Sequence, residues 1–341
     1  MPKPDQSSPR PMEIHEDLDK YFRVLHEDPY GLENPDYDWK GENWFVAVAG
    51  PVYLLIAAGM VLASSEGLIP TLSFPAFIFF IAAAVFELLG KIFCAHLVLR
   101  YNIRINFVRK LGLRPWRKLQ AFIIPFFFVT GDKILIDTMF LFSLGQLKTI
   151  ATEWNVIRRQ VPIFRFAFVS WDRLEDRPYS MRYDMIEDAL RFLIYIPFIA
   201  LVENKIVTLI PQLVNEFGDG LAEPVGLRFG KHRYKTKAIW YDGKFWNGEY
   251  HRSIEGSAMV FLVTLAVLLW FSAAFTMPQL MLALLLLPAM LTIAEAISPH
   301  TADGPLIGLL GCSFLWALPL LIWSVRLRPG LNEGCREIWP F

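Results

Sequence analysis

Cysteine is scarce in this chain: 3 among 341 residues, with Cys94, Cys312 and Cys335 too scattered to form a CxxC pair. That spacing suggests neither a disulfide framework nor a zinc site. The 6 histidines make no HExxH, which excludes the metalloprotease helix. Net charge is absent too, since 33 Lys and Arg balance 33 Asp and Glu. The sum identifies no partner, because the charges are segregated by loop, and no nucleic-acid partner is expected. No apolar core precedes Trp44, so no cleavable signal peptide is expected and the first apolar run is left to do the targeting. Internal repeats are missing as well.

What is abundant is apolar surface. Hydrophobic residues make up 54% of the chain, and the mean hydropathy is +0.37. Runs long enough to cross a hydrocarbon core lie at Trp44 to Ala63, Leu72 to Val98, Leu119 to Leu147, Ala189 to Val214, Ser257 to Thr276, Pro278 to Ile297 and Pro305 to Val325. The expected fold is an all-α polytopic membrane protein with about seven transmembrane helices. Four parts are expected: a polar acidic tail at 1–43 with a short amphipathic helix around Glu13 to Leu25, membrane segments at 44–147, a charged connector at 148–184, and a membrane region at 185–341 carrying the polar loop 215–256.

Lys and Arg give the orientation. Arg100, Arg104, Arg109, Lys110, Arg114, Arg117 and Lys118 crowd the loop between the second and third runs, which predicts a cytoplasmic loop and a tail on the same side. The connector is basic too, with Lys148, Arg158, Arg159, Arg165, Arg173, Arg177 and Arg182, yet a single crossing by 119–147 would put it outside. Either the connector breaks the rule, or the runs at 119–147 and 185–214 each dip in and return. Both alternatives leave 215–256 cytoplasmic. Within the runs, Glu87 and Lys91 stand four apart and share a helix face, the spacing of an ion pair. Asp132, Lys133 and Asp137 interrupt the third run, where one Lys serves two carboxylates poorly.

Between two long apolar segments runs "NEFGDGLAEPVGLRFGKHRYKTKAIWYDGKFWNGEYHRSIEGS", Asn215 to Ser257. It fails the familiar phosphate signatures. "GLRFGKH" is one residue short of a Walker loop and ends in His232 where Ser or Thr belongs, and "GDGLAE" lacks the third glycine of a Rossmann fingerprint. The residue types still suit a magnesium-triphosphate site. Asp219 and Glu223 are four apart, Gly218, Gly220 and Ala222 allow a ligand or neighbouring helix close to the backbone, and Arg228, Lys231, His232, Arg233, Lys235 and Lys237 follow. A hairpin-like "WYDGKFW" then leads to "HRSIEGS". The competing reading is a basic loop adsorbed on anionic headgroups. Further on, "AEAISPHTADGPLIG" places Glu295 in a last helical turn, with His300 and Asp303 beyond Pro299, and a two-span hairpin returns this turn to the side of Asp219.

Three blocks in this order, "GDGLAEPVGLRFGKH", "RSIEGSAMVF" and "EAISPHTADGPL", resemble the CTP-dependent lipid kinases typified by phytol kinase and dolichol kinase, relatives of the phosphatidate cytidylyltransferases. The resemblance covers about the last third of the chain. It implies transfer of the CTP γ-phosphoryl group to a membrane lipid alcohol such as phytol, a polyprenol or diacylglycerol, with Mg²⁺, at the cytoplasmic face. It implies Asp219, Glu295 and Asp303 as catalytic candidates, Asp219 and Asp303 as metal ligands, and Lys231, Arg252, Ser253 and Gly256 as nucleotide contacts, to which the residue pattern adds Glu223 and His300 as catalytic and Gly218, Gly220 and Arg228 as nucleotide-binding candidates. Two departures stand out: Gly304 replaces the usual Asn after the last Asp, and an Arg-Lys-x-x-His element is present only as "RKLQAF", with Ala121 in the His position. The alternatives are cytidylyl transfer to a lipid phosphate, and a non-catalytic membrane protein on the same scaffold. An N-terminus without an Arg/Ser-rich presequence points to a bacterial inner membrane.

Overall fold

Asp38 stands at the N-cap of the first helix and its side chain accepts the N–H of Gly41, filling one of the four amide valences a helix start leaves open. The computed structural model describes residues 27–72, 74–101, 134–172, 176–201, 205–241, 244–246, 249–299 and 302–321. Ala121, Asp132, Lys133, His300, Cys335 and the stretch 13–25 lie outside them, as does the side chain of Asp137.

The chain is mostly helical. Helices α1 (Trp39–Ser65), α2 (Phe74–Tyr101), α3 (Ile134–Glu153), the short α4 (Asn155–Gln160) and α5 (Pro162–Phe168), and α6 (Ser180–Leu201) form an N-terminal layer. A 3-10 turn at Lys205–Thr208 leads to α7 (Leu209–Leu213), a π-helical turn at Val214–Asp219 and α8 (Gly220–Phe229). Strands β1 (Arg233–Lys237), β2 (Trp240–Tyr241), β3 (Lys244–Phe245) and β4 (Glu249–Ser253) precede α9 (Ile254–Trp270), α10 (Met277–Ile297) and α11 (Asp303–Leu321). Among the described residues, 4 helices are long and apolar enough to cross a membrane: Trp39–Ser65, Phe80–Tyr101, Met277–Ile297 and Asp303–Leu320. At 1.5 Å per residue such helices match a hydrocarbon core of roughly 30 Å.

Three boundaries differ from the sequence reading. The expected connector starts at 148, but α3 stays helical to Glu153 because its charges find partners across the layer. Lys148 Nζ pairs with Glu87, and Lys91 Nζ sits 2.9 Å from Glu87 and 3.0 Å from Glu153. The expected run at 189–214 is not one helix: α6 starts at Ser180, stops at Leu201, and the chain resumes in shorter turns. The all-α expectation also omits the strands. β1 pairs antiparallel with β4, from Arg233 opposite Ser253 to Lys237 opposite Glu249, and β2 pairs with β3. Alternation along β1 leaves Arg233, Lys235 and Lys237 exposed and Tyr234 and Thr236 half-buried.

Contacts set the direction of each helix. Glu87 meets Lys148 and Lys91 meets Glu153, so α2 and α3 run parallel. The tail is strapped to the connector at the end where α3 finishes. Arg158 Nη1 donates to the Tyr30 carbonyl at 2.9 Å, Arg177 Nη2 to the Asp28 carbonyl at 2.8 Å, and Trp154 Nε1 to Asn43 Oδ1 at 2.7 Å. The basic connector therefore lies beside the tail. Gly304 abuts Arg191 and Gly308 abuts Tyr195, so α6 and α11 run parallel, with the start of α11 level with the middle of α6. The chain leaves along α6 and returns through Val214–Asp219, where Glu216 reaches Arg191. The hairpin and the turn before α11 meet where Arg252 of β4 reaches the carbonyls of Glu295 and Ser298.

The C-terminal layer has the larger apolar core, built on Val260, Leu268, Leu287, Leu291, Ile307, Leu315 and Leu318. Burial on this scale contributes about 25 cal/mol per Å² of apolar surface, and it gives α8 to α11 a rigid frame on which to hold the polar end.

Candidate functional site

α9 begins at a local signal. Ser253 is its N-cap, with Oγ accepting the Gly256 N–H at 3.1 Å. Gly256 is buried because α8 crosses there: a Cβ at Gly256 would lie 2.9 Å from the Ala222 carbonyl, and one at Gly218 would lie 3.3 Å from Val260 Cα. These two glycines let helices approach. Gly220 differs, since nothing lies within 4 Å of where its Cβ would be. The close crossing brings the π-helical turn that ends on Asp219 against α9, and π turns recur at functional positions.

Arg252 projects from β4 onto the C-terminus of α10. Its Nη2 donates to the carbonyls of Glu295 at 3.1 Å and Ser298 at 3.2 Å, and its Nη1 lies 3.1 Å from Glu295 Oε1. A cation at a helix C-terminus meets the negative end of the dipole and the last unpaired carbonyls. Glu295 is 3% exposed, and its second oxygen, Oε2, is buried with no hydrogen-bond partner among the described residues. Asp219, half-buried, lies within electrostatic reach of it. Arg252 and Glu295 thus meet at the C-terminus of α10, with Asp219 in their electrostatic surroundings.

The other candidates take different positions. Glu223 is half-buried one turn after Asp219 on α8. Asp303 is buried at the start of α11, where Oδ1 accepts the Gly304 N–H at 2.8 Å. Arg228 and Lys231 are exposed, Arg228 lying over the Phe229 ring at 5.1 Å.

Sequence reasoning missed Glu255. Its Oε1 accepts the N–H groups of Lys231 at 3.1 Å and His232 at 3.3 Å and lies 2.9 Å from His232 Nδ1. The amides that a Walker-like loop would offer to phosphate are therefore taken by the chain's own carboxylate. Its own backbone N–H in the first turn of α9, then His232, hold the carboxyl down to about 2. An acid two residues after an N-cap Ser was the available signal.

Among the described residues, no group of three or more His, Cys, Asp or Glu side chains is placed to hold a metal ion, so an all-protein cage is not formed. Mg²⁺ bound with a nucleotide needs only one or two carboxylates beside phosphate oxygens. Asp219 and Glu295, with the open Oε2, fit that smaller demand. No family model, curated protein or solved structure matches this chain.

Proposed function

We propose that the chain is a membrane phosphotransferase that moves the γ-phosphoryl group of CTP onto the hydroxyl of a lipid alcohol. The observation that carries the reading is the buried carboxylate of Glu295, one oxygen on Arg252 and the other open, beside Asp219 at the polar end of apolar helices. A buried acceptor without a partner costs stability unless a ligand fills it. CTP as donor, with phytol, a polyprenol or diacylglycerol as acceptor, comes from the resemblance of the three sequence blocks. The reading takes the long apolar helices across a bacterial inner membrane, with this end in the cytoplasm.

The chemistry asks for positioning and electrostatics. The acceptor oxygen forms a bond to the γ-phosphorus as the bond to the β,γ-bridging oxygen breaks, CDP leaves, and the hydroxyl proton passes to Glu295 through its open oxygen. Arg252, fixed by two carbonyls, offers its remaining charge to the phosphates at no reorganisation cost. Arg228 and Lys231 stand exposed at the rim, where they attract a polyanion. Asp219 is the carboxylate that would hold Mg²⁺, which would supply charge neutralisation and orientation of the triphosphate when bound with it. The apolar helices keep the acceptor's tail in the bilayer while its hydroxyl reaches the polar end.

Purified protein in detergent with labelled CTP and a panel of lipid alcohols tests this. Release of CDP with a phosphorylated lipid supports it. Release of pyrophosphate with a lipid phosphate acceptor assigns cytidylyl transfer instead, and no turnover on the panel contradicts both.

A further inference from the structure

Arg191 joins the two layers. Its Nη2 pairs with Glu187, one turn earlier on α6, and its Nη1 lies 3.3 Å from Glu216 Oε1 inside the π-helical turn. Asn215 Nδ2 donates to that same Glu216 oxygen at 3.2 Å. One planar guanidinium thus fixes the middle of the turn whose last residue is Asp219. Its fork reaches two carboxylates at once, which an ammonium point charge does less well.

The same guanidinium lies on the backbone of α11. A Cβ built on Gly304 would fall 2.5 Å from Arg191 Nη2, 2.6 Å from Nε and 2.8 Å from Cζ. Any side chain at 304 would displace Arg191. The vacancy at Gly304 and the reach of Arg191 are therefore two halves of one fit. On the opposite side the turn is held by Gly218 against Val260, at 3.3 Å. A π turn has poorer hydrogen-bond geometry than an α-helix and persists where its neighbours hold it.

We propose that Arg191 and Gly304 form a lock that positions the Asp219-bearing turn for phosphoryl transfer, with Arg191 a positioning residue for the reading above. Glu187 and Glu216, 9% and 7% exposed at their side chains, hold the guanidinium, and Gly304 leaves it room. The proposal also accounts for a glycine directly after Asp303.

The test compares wild type, Arg191→Ala, Gly304→Ala, the double variant and Arg191→Lys. Three quantities are read: amide hydrogen exchange at residues 214–220, the unfolding midpoint without nucleotide, and kcat and KM for CTP-dependent transfer. Each single Ala variant is expected to speed exchange at 214–220 and to lower kcat by about 100-fold, the scale of a misplacement of about 1 Å, with KM for the lipid alcohol unchanged. The double variant should be no worse than Arg191→Ala, because the added methyl has nothing left to displace. Arg191→Lys should recover part of kcat. Additive losses in the double variant, or unchanged exchange in Gly304→Ala, would overturn the lock. A lowered midpoint with wild-type kcat in both Ala variants would reduce Arg191 to a structural residue and overturn the positioning role. If wild type itself transfers nothing from CTP, the phosphotransferase reading fails, and the exchange and midpoint cycle still decides the lock.

Discussion

In the N-terminal layer buried cations lie between carboxylates: Lys91 between Glu87 and Glu153, Lys148 on Glu87, Arg177 between Asp28 and Asp172. In the C-terminal layer Arg252 lies against backbone carbonyls and one carboxylate oxygen, and the neighbouring oxygen is left open. The apolar parts differ in the opposite sense. Of the spanning windows in α1 and α2, 11% and 22% of residues are buried, against 39% and 56% in α10 and α11. One layer is a sheath tied by paired charges, with apolar side chains such as Trp44, Leu55 and Leu62 turned outward. The other is a packed core. Buried carboxylate oxygens without a partner occur in both layers, at Glu42 and Glu153 as well as at Glu295, so the candidate site is placed in the C-terminal layer by the sequence blocks that converge there and by the frame that packed core provides.

The contrast predicts where substitutions hurt. Lys91→Met should cost the most, about 3–5 kcal/mol, because it strands the buried Glu153 without its cation and leaves Glu87 with Lys148 alone. Unfolding midpoints in detergent measure it, and replacing Glu87, Lys91 and Glu153 together with Gln, Met and Gln should restore much of the loss. A Lys91→Met protein as stable as wild type would break the description of a charge-tied layer. Leu291→Ala, fully buried in the C-terminal core, should cost about 3 kcal/mol by the transfer and cavity terms, read by the same midpoints. Ser253→Ala removes the N-cap of α9 and should cost about 1 kcal/mol, with hydrogen exchange rising in the first turn of α9.

The smallest effect is a pH dependence at Glu255. Its carboxyl is held at about 2 in the folded protein, against an ordinary 4.5. A depressed carboxyl contributes stability that is present above the unfolded value and is lost as pH falls from about 4.5 towards 2. Midpoints recorded across that window should fall less steeply in Glu255→Gln than in wild type. Equal slopes would show that the amides of Lys231 and His232 do not hold this carboxylate in solution.

Legibility in the sequence followed locality. The run Trp44 to Ala63 lies inside α1 and Pro278 to Ile297 coincides closely with α10, because a continuous apolar segment needs no partner to be read. The turn was visible in the hairpin-like "WYDGKFW", while Arg233 to Lys237 read as a basic cluster whose pairing as β1 with β4 appears only in the structure. Lys148 and Glu153 read as loop residues when taken alone, and only pairing across to α2 keeps them in a helix. Arg252 looked like a phosphate contact, while its hydrogen bonds run to carbonyls 43 and 46 residues away. Arg191 carried no signal at all, since its partners Glu216 and Gly304 meet it only after the two layers dock. Gly218 was read as admitting a ligand or a neighbouring helix and Gly256 as a nucleotide contact, and the structure packs both against neighbouring helices.

The most direct test of the central claim is nucleotide-dependent stabilisation of the purified protein with Mg²⁺, using CTP, ATP as control, and Asp219→Asn beside wild type. The account predicts a rise for CTP in wild type, about 2.7 kcal/mol at a hundredfold excess over Kd, and none in Asp219→Asn. An equal rise in both proteins, or no rise with any nucleotide, would contradict a triphosphate site at Asp219, Glu295 and Arg252.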